Sequence, residues 1–326
     1  MNGRISVALI AAVALAVASF AAQAIDPEPY PRKPIKLIVP TVPGPPPDVV
    51  ARILAEKLGG ALGQPVVVEN RPGAIGTIGL NAVVKAAPDG YTFGLIALPY
   101  VVAPSLLAQV PYDTEKDLAP VTLTNWNHPI LAVRADSPVR SVADLVPLAK
   151  ARPGELKYAS SGNGTPPHLA GELFKREAGV TITHIPYKGP SPAVIALLVG
   201  EVDLTILATS VLSPHLKSGK LRALATVAPR RLAKYPDIPT LVELGYPELG
   251  ITDWQGIVVP AGTPGGVIAR LHAEIVKVLA VADFRQRLEV LGLEAAGLGP
   301  ERFAAHMHKE IQRWSKLVRD TGIKAD

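Results

Sequence analysis

Three short stretches carry the residues most able to do chemistry, and the chemistry they suit is the holding of a small anion. The first, TVPGPPPD at 41–48, follows the apolar run Ile35–Val39 and precedes VVARILAEKL, whose apolar spacing is helical. The second, NRPGAIGTIG at 70–79, sets Gly73 and Gly76 between a strand-like run and a helix, so that backbone amides can approach a ligand closely. The third, ASSGNGTPPH at 159–168, joins small hydroxyls, two glycines and an asparagine to a Thr-Pro helix start. Free N–H groups at a helix N-terminus bind a carboxylate without a cationic side chain. The first corner conflicts with this chemistry: four of its eight residues are prolines, which have no N–H to donate.

Catalytic signatures are missing. The chain has no G-x-S-x-G elbow, no H-E-x-x-H and no Walker loop, and without cysteine it has neither thiol nucleophile nor zinc-ribbon spacing. GAIGTIG at 73–79 spaces its glycines three apart and fails the dinucleotide fingerprint. His306 and His308 are two apart, a poor spacing for chelation, so that segment reads as a solvated helix surface. No catalytic residue, metal or cofactor is expected. The competing class is an exported hydrolase using a hydroxyl of the third loop, for which His168 is the local base.

The elements that must position these loops alternate between strand and helix. Runs rich in Val, Ile and Leu recur at 35–39, 66–68, 92–98, 130–133, 156–160, 181–187, 204–208, 221–227 and 257–259, and the spacing predicts largely parallel α/β sheets. Val49, Ile53, Leu54, Leu58 and Ala61 fall on one helical face, as do Ile268, Leu271, Ile275, Val278 and Leu279. Thr165-Pro166, Ser191-Pro192 and Thr263-Pro264 read as helix starts, Ser141 with Asp144 as a capping box, and the last helix as spanning about 300–321. NWNHP at 125–129 and TDWQG at 252–256 look like places where the chain changes domain. They divide it into lobe 1 (residues 25–124 and 254–326) and lobe 2 (residues 125–253), the layout of a two-lobed binding protein hinged around a cleft.

Residues 1–24 read as a secretory signal: Arg4, an apolar run from Ile5 to Ala18, and Ala22-Gln23-Ala24 as the cleavage site. The apolar run is shorter than the ~20 residues of a membrane span. The remaining ~300 residues exceed what one core usually serves, and a cysteine-free exported chain has no disulfides and no cysteine-linked lipid. The formal charge of +5, or +4 without Arg4, is spread thinly and forms no nucleic-acid footprint. A freely diffusing periplasmic protein fits best. Its 33 prolines, about twice the usual frequency, imply many rigid corners.

In order along the chain, YPRKPIKLIVP, ARILAEKL, LGQPVVVENRPGA, PDGYT, PYDTEKDLAPV, YASSGNGTPPHLAGELF, HIPYKG, GEVDL, SPHLKSGKLRALA, PDIPTLVELGYP and WQGIVVPAGTP resemble the Bug, or TctC-like, family. These are periplasmic solute-binding proteins of tripartite tricarboxylate transporters, and the resemblance covers essentially the whole mature chain. It implies a periplasmic-binding-protein-like α/β fold: two lobes joined by crossover strands around a central cleft. It further implies capture of a small organic acid, no enzymatic activity, and delivery to a membrane permease by a monomeric carrier. A periplasmic sensor on the same scaffold stays open.

By position, the resemblance assigns ligand contacts to Thr41, Val42, Gly44, Pro45, Pro46 and Asp48, the last as a helix cap. It assigns further contacts to Ala74, Ile75, Gly76 and Thr77, to Ser160, Ser161, Asn163 and Thr165, and to Tyr187 and Thr209. Three departures stand out. Where relatives read roughly F-A-P-G-G-x-T-D, this chain keeps amide donors between Pro40 and Asp48 only at Thr41, Val42, Gly44 and Asp48. The G-A-G-G pattern becomes Gly73-Ala74-Ile75-Gly76, and the usual small polar cluster after the third strand becomes Leu98-Pro99-Tyr100. All three remove donors and add apolar surface, which predicts a ligand with one polar end on the third loop and an apolar or aromatic body against Tyr100, Ile75 and the prolines.

Overall fold

The computed structural model describes residues 30–323, so the expected signal and its cleavage after Ala24 lie outside the described residues. From Lys33 onward the described residues form one compact unit that contains two sheets. The described strands are β1 (Ile35–Val39), β2 (Val66–Asn70), β3 (Thr92–Ala97), β4 (Leu118–Asn127), β5 (Pro129–Arg134), β6 (Lys157–Ser160), β7 (Thr183–Pro186), β8 (Leu204–Ala208), β9 (Leu221–Thr226), β10 (Asp253–Pro260) and β11 (Leu293–Leu298). The described α-helices are α1 (Pro46–Leu62), α2 (Thr77–Val84), α3 (Leu98–Leu106), α4 (Val142–Ala151), α5 (Pro166–Ala178), α6 (Pro190–Val199), α7 (Thr209–Lys217), α8 (Gly265–Ala280), α9 (Ala282–Val290) and α10 (Pro300–Thr321).

The first sheet runs β11-β4-β10-β3-β1-β2 and the second β7-β6-β8-β5-β9. Each is mixed rather than largely parallel. β1 pairs in parallel with β2 and β3, and β6 with β7 and β8, but β10 is antiparallel to β3 and β4, and β5 is antiparallel to β8 and β9. The reversal follows from chain path: β4 leaves the first sheet, turns at His128 and enters the second as β5, and β10 comes back. β4 and β11 are strands that the apolar runs did not signal. β4 alternates Thr and Asn with apolar residues, and β11 is a short, half-buried edge rich in alanine and glycine.

This topology gathers one edge of each sheet. The parallel strands β1, β2 and β3 end at the same edge, where β4 ends at Asn127 and β10 begins at Asp253, paired with each other. In the second sheet β6, β7 and β8 end together, and β5 begins there with Pro129 opposite Ala208. His128 is the single residue between the two edges along β4 and β5. Ligands bind outside the carboxyl ends of parallel strands because loops and helix N-termini converge there.

The helices bury faces close to those the pattern predicts. On α1 the buried apolar residues are Val50, Ala51, Leu54, Ala55, Leu58 and Leu62, while Ala61 is exposed, because the face that packs on β1, β2 and α8 is turned from the predicted one. α8 buries Leu271, Ile275, Val278 and Leu279. α6 starts at Pro190 behind Gly189, ahead of the expected Ser191 cap, and α8 is capped by Pro264 while the Thr263 hydroxyl bonds the Pro260 carbonyl. Ser141 caps α4, accepting the Asp144 N–H at 3.1 Å; Asp144 returns a bond to the Arg140 N–H. α10 spans Pro300–Thr321 as expected, but it is not a solvated surface at His306. Met307 is buried, and the His306 ring meets Trp126 and Trp254 edge-on at 5.1 and 5.3 Å. Phe303 of the same helix lies on Gly256, where a Cβ would stand 2.3 Å from the ring, so only glycine lets α10 seat on β10.

Candidate functional site

In the first corner Pro45 holds an extended conformation ahead of α1, and Pro46 and Pro47 occupy its first two positions. Asp48 is therefore not the cap but a first-turn residue that reaches back. Its carboxylate accepts the Gly44 N–H at 2.9 Å, Arg52 Nε at 3.0 Å and Asn70 Nδ2 at 2.8 Å, and Asn70 also donates to the Thr41 carbonyl. Asp48 is buried, which by itself pushes its pKa up, but the bonds from Arg52, Asn70 and Gly44 outweigh burial and hold the carboxyl below the usual range. Thr41 N–H bonds Val39 and Asp48 N–H bonds Pro45. Of the four amides left between Pro40 and Asp48, only that of Val42, an exposed residue, has no partner among the described residues. The corner is a locked, mostly apolar wall.

The second corner is wound in the opposite hand. Gly73, Ala74, Ile75 and Gly76 all have positive φ, Ala74 at 46° and Ile75 at 50°. A left-handed non-glycine residue costs about 1–2 kcal/mol, and a β-branched one is a marked outlier that surrounding structure must enforce. The enforcement is visible: Thr77 Oγ1 donates to the Ala74 carbonyl at 2.9 Å, Gly76 N–H to Gly73, and the Tyr100 ring packs on Gly76 where a Cβ would stand 2.4 Å from it. Thr77 is buried with its hydroxyl used in this way, so it shapes the loop rather than offering a donor.

Tyr100, in the first turn of α3, is 7% exposed, and its hydroxyl has no partner among the described residues. Burial, and then the charge of Asp253, raises its pKa, so it stays a neutral phenol. Asp253 was not among the predicted contacts. It sits at the same sheet edge, accepting Asn127 Nδ2 at 3.3 Å and its neighbour's Trp254 N–H at 2.9 Å. Asp253 is half-buried there. Burial and the nearby Glu310 push its carboxyl up to about 7, against the two hydrogen bonds. No salt bridge reaches Asp253 among the described residues. The signal for it lay in TDWQG, an acidic residue at the predicted crossing.

The third loop closes on itself. Ser160 is fully buried; its Oγ accepts the Gly162 N–H at 3.1 Å and lies 2.6 Å from His184 Nε2. Thr165 Oγ1 donates to the Gly162 carbonyl at 2.6 Å instead of capping α5, whose first two residues are Pro166 and Pro167. Tyr187 N–H bonds the Ser160 carbonyl, and its hydroxyl goes to Glu201 at 2.7 Å. Ser161 is half-buried, and its hydroxyl makes no bond among the described residues. Behind the loop the His168 and His184 rings stack at 3.9 Å, and burial and then His168 lower His184 to about 4. His168 Nδ1 accepts the Gly164 N–H at 3.0 Å, so it is not poised as a base for a loop hydroxyl. The imidazole that does meet a serine, His184, meets one with no access to substrate.

Thr209 is buried, and both its hydroxyl and its N–H bond the His128 carbonyl, tying α7 to the crossover. It also borders a cavity of about 710 Å³ lined by His128, Lys234, Arg285, Glu289 and Glu294, which no other predicted contact touches. Among the described residues no cluster of three His, Cys, Asp or Glu side chains could hold a metal ion, and no helix is long and apolar enough to cross a membrane.

The profile of the tripartite tricarboxylate transporter family receptors, TctC, matches residues 50–323. The chain is 39% identical to protein BugT of Bordetella pertussis over 312 residues, 95% of each chain. Its fold superposes on a TctC solute-binding protein from Polaromonas with a TM-score of 0.81 at 30% identity, covering 90% of this chain and 100% of that one. It superposes on R. palustris Rpa4515 with adipate at 0.77 and 34%, covering 91% and 100%. The chain belongs to the TctC family of periplasmic solute-binding proteins: a two-lobed binding protein, not an enzyme.

Proposed function

We propose that this chain captures a small organic acid with an apolar or aromatic body by closing its two lobes. On this reading lobe 1 (residues 25–124 and 254–326) and lobe 2 (residues 125–253) are the moving bodies, and the loaded carrier delivers its ligand to the permease of a tripartite transporter. The observation that carries the reading is the loss of donors at the first corner, where three prolines head α1 and the Gly44 amide is spent on Asp48. Each missing hydrogen bond to a charged oxygen forfeits about 1.5–3 kcal/mol, so a carboxylate at that wall is disfavoured while apolar contact with Val42, Ile75, Pro45 and Tyr100 is not. The acid end falls to the opposite loop, where Ser161 and Asn163 offer short polar groups. A structural neighbour at 34% identity that carries adipate supports an acid on a chain of several carbons.

Thermal-shift screening of the purified mature chain tests this. Stabilisation by aromatic or long-chain monoacids is expected, whereas stabilisation by citrate or aspartate alone would sink it. N-terminal sequencing of the exported protein is expected to begin at Ile25.

A further inference from the structure

The edge at which β3, β4 and β10 meet holds a group of polar atoms that the fold does not satisfy. Pairing of Gln255 with Asn125 and of Asp253 with Asn127 puts all four side chains on one face of the sheet, opposite the face that carries Trp126 and Trp254 onto α10. Buried there without partners are Asn127 Oδ1 and Gln255 Oε1, both acceptors, and Asn125 Nδ2. Buried polar groups are ordinarily hydrogen-bonded, and each exception asks for a reason. Asp253 adds two acceptor oxygens with no cation within ion-pair distance among the described residues, and Tyr100 adds an unpartnered hydroxyl from a side chain more than nine-tenths buried.

We propose that Asp253 and Tyr100 form a subsite on the cleft floor that receives a positively charged, hydrogen-bond-donating end of the ligand, an ammonium group. The inference rests on the organic-acid reading above and adds the chemistry of the ligand's second end. Acceptors dominate this floor, so a carboxylate placed on it meets like charge while an ammonium pairs with Asp253 and donates to the Tyr100 hydroxyl. The ligand class is then an acid carrying an amine several bonds from its carboxylate, the apolar body between them lying along the proline wall.

The ionisable groups around Asp253 agree with this assignment. Tyr100 on α3 is neutral, and Glu310 on α10 is raised by burial, with Arg313 at 3.6 Å and Lys309 behind it. No cation faces Asp253 directly, and its carboxyl titrates at about 7. An ammonium ligand requires the ionised form, so its affinity rises with pH through about 7 and then levels, with a proton released on binding. A ligand with a carboxylate at this end has the opposite dependence.

Isothermal titration calorimetry of the mature chain with two matched trios decides the matter: 6-aminohexanoate, hexanoate and adipate, and 4-(aminomethyl)benzoate, 4-methylbenzoate and terephthalate. At pH 8 the amine of at least one trio is expected to bind about 10- to 100-fold tighter than its alkyl partner. That advantage shrinks roughly tenfold or more at pH 5.5 and falls toward one in Asp253→Asn, whose folding is checked by circular dichroism. If the acids bind with no amine advantage, or the diacid binds tightest, the subsite is overturned while the organic-acid reading stands. If all six fail, that reading falls and the subsite with it. The pH dependence of the wild type keeps the test valid should the variant not fold.

Discussion

Replacing Asp253 by Asn tests the electrostatics of the cleft floor without any ligand. A carboxyl raised from 3.8 to about 7 binds its proton more tightly in the folded than in the unfolded chain. Its contribution to stability is therefore fully present below pH ~4 and is lost as pH rises through about 7. Three pH units at 1.36 kcal/mol each set a ceiling of about 4 kcal/mol, and partial exposure of Asp253 lowers the expected value to about 1–3 kcal/mol. At pH 8 Asp253→Asn removes a half-buried charge with no ion-pair partner, and its amide can donate to the orphaned Asn127 Oδ1 once the Asn127 amide turns. For a chain of this size the gain is about 2–6 °C in Tm. His184 and His306, both lowered to about 4, make stability rise with pH between about 4 and 6.5, but they act equally on both proteins and cancel in the comparison. Calorimetric melting of ligand-free wild type and variant at pH 4 and pH 8 is the assay. Expected is a Tm difference near zero at pH 4 and several degrees in the variant's favour at pH 8. An equal difference at both pH values, or a less stable variant at pH 8, refutes the reasoning.

Other perturbations follow from the corners. Asp48→Ala strips the partners of Gly44, Arg52 and Asn70 together and is expected to cost about 2–3 kcal/mol in urea unfolding. Because the Asp48 carboxyl is held below its usual range, that loss should be present at neutral pH and fade as acid protonates the wild-type group. Ile75→Gly relieves a left-handed β-branched residue and should stabilise the fold by about 0.5–1 kcal/mol after the entropy of glycine is set against it, while apolar ligands bind more weakly in titration calorimetry. Pro47→Thr returns one amide and one hydroxyl to the head of α1; affinity for a dicarboxylate such as adipate should then rise about tenfold or more, and an unchanged affinity would place the ligand's acid ends elsewhere.

Much of this protein is legible in one dimension because local physics dictates it. Ile35–Val39 and Leu204–Ala208 are apolar runs that form interior strands of their sheets, so pattern and strand coincide. The prolines of 45–47 remove amide donors in any conformation, and Gly76 must be glycine wherever a tyrosine ring lies on it. What the pattern could not supply is which polar group spends its bonds on the fold. Ser160, Thr165, Thr77 and Thr209 look like ligand donors in a loop sequence, yet each is consumed by a neighbour in space, some of them far away in the chain. β4, and the first half of β10 ahead of the signalled run 257–259, were hidden for a similar reason, since crossover strands carry Asn, Gln and Asp where a core strand carries valine. Asp253 is the sharpest instance: its type and position are plain in the sequence, but its pairing with Asn127, its distance from any cation and its place beside Tyr100 exist only once β3, β4 and β10 share an edge. A residue's chemistry is set by desolvation and by neighbours, and both are properties of the packed chain.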